Sequence, residues 1–197
     1  MDFGRIPELW MNAITKPAET FKKEKKNAKL LDGVIHYFIA GFIVGLITTV
    51  ISIFLILFHQ IPNEYLSYGA GVIMLMSIFY PIIYPVFLII ATLFLACIFF
   101  VMAKILGGKG NFGTQYYLWA IFYAPIIIII NLISLIPIIG NFISLAILIY
   151  ALYLLTLSIK EAHELDTIKA ILVWLIPGIV IAIIIVLLIF MLPNVLF

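Results

Sequence analysis

The chain has 197 residues, of which 66% are hydrophobic and 10% charged. A soluble domain is about half apolar and a quarter charged, so this composition excludes a protein with water on all sides, and the polar length left over is too short for a second, soluble domain. Eleven Lys and Arg against nine Asp and Glu leave only a small positive balance, and no nucleic-acid partner is expected from it.

Residues 1–31 form a segment of their own, with Lys and Arg scattered among polar residues and no short apolar core or small-residue cleavage site of a secretory signal. Ile6, Leu9, Trp10, Ala13 and Ile14 recur at the three-and-four spacing of one helix face, and Trp favours the headgroup level, so an amphipathic helix lying in the membrane plane is expected. A second helix is expected to start at Thr15 as its cap, with Pro17 in its first turn. It runs through Phe21, Lys22, Lys23, Glu24, Lys25 and Lys26. Each Lys near an anionic leaflet contributes about 1 kcal/mol, so this cluster can hold the segment on the membrane surface as well as fix its side.

A hydrocarbon core about 30 Å thick is crossed by roughly 20 apolar residues. Runs at 33–58, 115–135, 139–159 and 170–192 meet that length. The stretch 69–106 is about twice as long as needed, and Pro81 and Pro85 each remove a backbone donor, so a break is expected there. The span is then 83–105, with 66–81 left as an interfacial or re-entrant helix.

Short cytoplasmic loops carry the excess of Lys and Arg. With five spans and a cytoplasmic N-terminus, all eleven cations fall inside: the seven before the first span, then Lys104, Lys109, Lys160 and Lys169. Six spans would move the last four outside. The expected architecture is therefore an all-α integral membrane bundle, residues 32–197 carrying five transmembrane helices behind the amphipathic and polybasic segment 1–31. It sits in the cell membrane with the N-terminus cytoplasmic and the C-terminus outside, beyond Met191-Leu192-Pro193. The outer face offers little beyond His59 and Glu64.

No Asp, Glu, Lys or Arg falls well within any span, which speaks against a proton relay or ion exchanger. Asn131 is the deepest strongly polar side chain, and an interhelical hydrogen bond is its expected role. Gly41 and Gly45 form a small-xxx-small pair, continued by Thr48, Thr49 and Ser52, so close helix approach is expected there. The partner is expected to be another helix of this chain, a second copy being the alternative. Cys97, the lone cysteine, is expected to pack as a small hydrophobe.

Two loops hold the remaining candidates for chemistry. Gly107, Gly108, Lys109, Gly110, Asn111 and Phe112 put glycines around a lysine, but the glycine spacing and the following Ser or Thr of a P-loop are absent. A flexible turn is expected, with a partner or headgroup contact as the other reading. In Lys160 to Asp166, His163 stands among three carboxylates, whereas a zinc protease needs two His around a Glu. No metal, cofactor or catalytic residue is expected, since no nucleophile, base and orienting group come together.

These residues resemble the Yip-domain (Yip/YIPF-like) family of five-span membrane proteins in its prokaryotic, archaeal branch. The resemblance rests on Trp10, Pro17 and Phe21, the loop 107–112, Pro125, the turn Ile136-Pro137-Ile138-Ile139-Gly140, and the series Tyr150, Glu161, His163, Lys169, Ala170 and Pro177. It implies a non-enzymatic scaffold or adaptor that meets a protein partner or anionic lipid at its cytoplasmic face. Trp10, Lys22, Lys23, Lys25, Lys26, Gly107, Gly108, Lys109, Gly110, Phe112 and His163 are the candidate contacts. The Asp-Leu-Tyr-Gly-Pro motif that precedes the first span in eukaryotic relatives is absent, so a Rab-type GTPase interaction does not carry over. The alternative is a passive transporter or channel-like bundle with a path near Asn131. An intramembrane lipid enzyme would lack an acid or base.

Overall fold

A computed structural model describes residues 2–58, 70–136 and 138–191 of the protein. His59, Glu64, Pro137, Pro193 and residues 66–69 of the expected interfacial helix lie outside the described residues. Every regular element among those described is helical. The chain runs through α1 (Ile6–Thr15), α2 (Pro17–Glu24), α3 (Leu30–Leu57), α4 (Ala70–Ile105), α5 (Phe112–Ile133), α6 (Ile139–His163) and α7 (Thr167–Met191). Among the described residues five helices are long and apolar enough to cross a membrane: Leu30–Ile56, Leu75–Ile105, Phe112–Ile133, Ile139–His163 and Thr167–Phe190. The protein is a multi-pass membrane protein with five such helices.

Helix α5 is the centre of the bundle. Its residues from Thr114 to Ile127 are buried, Tyr123 excepted, between α3 on one side and α6 on the other. Helix α4 packs along α3, and α7 lies against α4 and α6. Large apolar side chains face outward along α3 (Phe38, Phe42, Leu46, Val50, Phe54) and over most of α7 beyond Leu175, as lipid-facing rows require.

The expected break at Pro81 and Pro85 does not occur: α4 is one helix of 36 residues containing both prolines. The reason lies in α3. A Cβ built on Gly41 would stand 2.6 Å from the Pro85 Cα, and one on Gly45 would stand 2.5 Å from the Pro81 Cα. The two glycines therefore admit the two prolines, four residues apart on each helix, into an antiparallel seam. One turn further along, Thr49 Oγ1 donates to the Ser77 carbonyl at 2.6 Å. That carbonyl, four residues before Pro81, is the one whose intrahelical donor the proline ring removes. A neighbouring hydroxyl meets the freed group, which is how transmembrane helices tolerate proline.

The N-terminal segment also differs from expectation. The apolar face of α1 does not lie in lipid but is covered by the bundle. Ile6 and Ala13 are buried, and Leu9 and Ile14 pack against the core. An apolar stripe asks only to leave water, and here protein rather than acyl chains covers it. Thr15 is not the cap of α2, whose N-cap is Lys16, without a side-chain bond. The Thr15 hydroxyl instead bonds back to Met11 O at 2.8 Å, the local alternative open to a Thr at a helix end.

Helices α1 and α2 form a hairpin that runs down the bundle surface. At its open end Lys25 pairs with Glu161 at 3.5 Å and Glu164 at 3.8 Å. At its tip the Tyr150 hydroxyl donates to Ile14 O at 2.7 Å. Residues 150 and 161 are eleven positions apart on α6, so at about 1.5 Å per residue the hairpin covers roughly 16 Å of that helix.

Candidate functional site

The polar chemistry gathers at the end of the bundle that carries the lysines. Helix α4 closes there with Gly107 at φ 91° and with Gly108 N–H bonded to Ala103 O at 2.8 Å. The chain then turns onto the end of α6, where Lys109 N–H donates to His163 O at 3.0 Å. Gly110 lies so close to the Ala162 carbonyl that no Cβ fits, and a Cβ on Gly108 would stand 2.9 Å from His163 Nδ1. Asn111 accepts from Thr114 N–H at 2.8 Å and caps α5. The expected flexible turn is thus a loop docked on α6, in which Gly108 and Gly110 allow close backbone approach and Gly107 allows the positive φ.

His163 is fully buried beneath this loop, so it is not available as a surface contact for a lipid or partner. Its Nε2 lies 2.7 Å from Gln115 Oε1, while Gln115 Nε2 donates to Ala96 O at 2.9 Å. Because the amide nitrogen must face the Ala96 carbonyl, the amide oxygen faces the imidazole. His163 therefore carries its proton on Nε2, and Nδ1 is left as an unfilled acceptor. Three spans, α4, α5 and α6, are tied by this one relay. Phe100 packs against both Phe112 and the His163 ring, with centroids 5.6 and 5.7 Å away, and Lys104 Nζ stands 5.4 Å over the Phe100 ring.

The hairpin is fastened by single, specific contacts. Trp10 Nε1 donates to His36 Nδ1 at 2.9 Å, which makes His36 a neutral acceptor at that nitrogen. Phe21 is buried against Phe122, ring centroids 5.9 Å apart. Glu24 takes the Tyr117 hydroxyl at 2.9 Å and pairs with Arg5 at 3.3 Å. Its outward side is a charged cleft of about 140 Å³ whose lining includes Arg5, Glu8, Asn12, Lys16, Glu19 and Lys23.

The candidate contacts named from the sequence are thus divided. Lys22, Lys23, Lys26 and Lys109 are exposed, and Trp10, Gly110 and Phe112 are half-buried. Gly107 is exposed and Gly108 buried. Lys25 is held by the acidic end of α6. Gly41 and Gly45 meet Pro85 and Pro81, as described. Asn131 bonds within its own helix, donating to Ile127 O at 2.9 Å, and its side chain also lies beside the Tyr84 hydroxyl of α4. Cys97 is exposed on α4, where it lines an apolar recess with Val101 and Pro177.

Sequence reasoning missed Gln115, Tyr117, Glu24 and the docking role of Tyr150. A lone glutamine four residues past a helix cap, at the mouth of an apolar span, was the available signal for the first. Among the described residues no three His, Cys, Asp or Glu gather as a metal site would require.

Comparison with known proteins agrees with this architecture. The family description of the Yip1 domain matches residues 11–189, from within α1 to near the end of α7. No curated protein and no solved structure matches the chain. With nearly its whole length matched, the chain belongs to the Yip1 domain family.

Proposed function

We propose that the protein is a non-enzymatic membrane scaffold of the cell membrane, its lysine-bearing end cytoplasmic and its C-terminus outside, and that this end binds acidic lipid headgroups. The observation that carries the reading is the division among the N-terminal lysines. Lys25 is used to fasten the hairpin, whereas Lys22, Lys23, Lys26 and Lys29 stay exposed around it. Lys22 and Lys23 on the docked α2, with Lys26 and Lys29 in the connection to α3, form a surface rather than a loose tail, and each is worth about 1 kcal/mol near an anionic leaflet. The orientation follows from the same charges by the positive-inside rule. The family supports an adaptor role, in which a protein partner would meet the same face.

The test compares the wild type with a Lys22→Gln/Lys23→Gln/Lys26→Gln variant purified from native membranes. Acidic lipids retained by the wild type and lost from the variant are expected by native mass spectrometry. Equal lipid content, with no partner specific to the wild type in a parallel pulldown, refutes the scaffold reading.

A further inference from the structure

Helix α7 loses its protein cover at Pro177. Before it, Ala170 and Val173 are fully buried, whereas residues 178–190 are exposed, Ile181 excepted. At the same point an apolar recess of about 450 Å³ lies between α7 and α4, walled by Cys97, Ile98 and Val101 on one side and by Ile176, Pro177 and Val180 on the other. Its size falls among pockets for small molecules, about 300–1,000 Å³, and its walls offer only hydrocarbon and sulfur.

Each wall carries a lysine toward the lysine-bearing end of the bundle. Lys104 is seven residues from Cys97, and Lys169 is seven from Ile176. Seven residues are two helical turns, which return each lysine close to the recess face about 10 Å from the lining residue. Both are exposed, and among the described residues neither pairs with a carboxylate. The Lys104 ammonium has the Phe100 ring beneath it at 5.4 Å. Asp166, three residues from Lys169, is turned to the start of α7, where it accepts the Lys169 N–H at 2.9 Å. Two cations above an apolar slot are the complement of a molecule with a negative end and a hydrocarbon end. A phosphate meets such cations through charge-assisted hydrogen bonds, whereas a zwitterionic headgroup would bring its ammonium against the same two lysines.

We propose that the α4–α7 recess is a binding site for one acidic phospholipid, which lays an acyl chain along Ile98, Val101 and Pro177 and places its phosphate between Lys104 and Lys169. The inference is independent of the scaffold reading, because it uses none of the exposed lysines at 22, 23, 26 and 29.

Occupancy can be read at Cys97, the single cysteine of the chain, because it stands in the wall of the recess. The full chain, delipidated in a non-ionic detergent, is titrated with phosphatidylglycerol, and alkylation of Cys97 by N-ethylmaleimide is followed by intact mass. A saturable, several-fold slowing is expected, which equal concentrations of phosphatidylcholine or palmitate do not produce. Lys104→Gln/Lys169→Gln is expected to raise the half-saturating concentration on the order of tenfold, a loss of about 1.4 kcal/mol. Lys22→Gln/Lys23→Gln/Lys26→Gln is expected to keep the wild-type value. Val180→Trp fills the recess from an exposed position and is expected to remove one bound phosphatidylglycerol from the native mass spectrum. An unchanged alkylation rate in monodisperse protein overturns the site. Equal protection by phosphatidylcholine overturns the choice of an acidic lipid, and equal protection by palmitate overturns the choice of a phospholipid. If the N-terminal triple variant weakens protection as much as Lys104→Gln/Lys169→Gln, the phosphate is not seated between these two lysines.

Discussion

Replacing Thr49 by Val tests the account of why α4 is unbroken. The two side chains are nearly the same in shape, so the change removes the 2.6 Å bond to Ser77 O and little else. Pro81 has no N–H to offer that carbonyl. Hydrogen bonds between transmembrane helices contribute about 0.6–2 kcal/mol, and the short contact to a carbonyl that has lost its intrahelical donor places this one in the upper part of that range. A loss of about 1–2 kcal/mol lowers the melting temperature of a protein this size by roughly 2–8 °C. The assay is thermal unfolding of the detergent-purified protein, read by the loss of its monodisperse chromatographic peak. Thr49→Ser, which keeps the hydroxyl, is expected to melt near the wild type. Pro81→Ala restores an N–H at position 81, so Thr49→Val made in that background is expected to lose little. If Thr49→Val costs the same with alanine at 81 as with proline, the hydroxyl is not substituting for the missing donor, and the explanation of the continuous helix fails.

Four further outcomes follow from the packing. Gly45→Ala pushes a methyl onto Pro81 backbone that cannot swing aside, and overpacking of about 1–3 kcal/mol outweighs the roughly 1 kcal/mol gained in helix propensity; Gly178→Ala, with nothing within 4 Å, is expected to hold or raise the melting temperature in the same assay. Gln115→Leu leaves the buried His163 Nε2 without a partner and removes the second bond to Ala96 O, and a loss of about 1–3 kcal/mol is expected in denaturant unfolding. Gly110→Ala drives its Cβ into the Ala162 carbonyl, so faster amide exchange at Lys109 is expected from a loop forced off α6. Trp10→Phe keeps the ring but drops the bond to His36, so a loss of about 1 kcal/mol and faster protease cleavage within residues 6–24 are expected.

The number of spans and the gathering of cations at one end were legible because apolar length and charge act over twenty residues at a time, and no tertiary detail overrides them. Helix contacts were legible by half. The pair Gly41 and Gly45 marks a close approach in any sequence, yet its partners, Pro81 and Pro85 at the same four-residue spacing, read as a break. The rule for proline assumes that a freed carbonyl stays free, and whether a hydroxyl such as that of Thr49 stands opposite is a matter of register between helices. The stripe on α1 was visible, but periodicity reports only that a face avoids water, not whether lipid or protein covers it. The loops at 107–112 and 160–166 each drew notice separately. Their docking on one another depends on glycines that permit approach and on Gln115, whose partners lie 19 and 48 residues away in sequence.

The hairpin has a consequence for the order in which the protein is made. Its anchors on α6 lie far downstream: Ile14 waits for Tyr150 and Lys25 for Glu161, each pair 136 residues apart. At about 5–20 residues per second, the ribosome leaves α1 and α2 without their final seat for roughly 7–27 s. Throughout that interval Leu9, Ala13, Ile14 and Phe21 have no α5 or α6 to cover them. The amphipathic stripe, which in the finished molecule meets protein, must meanwhile be kept from water by other means.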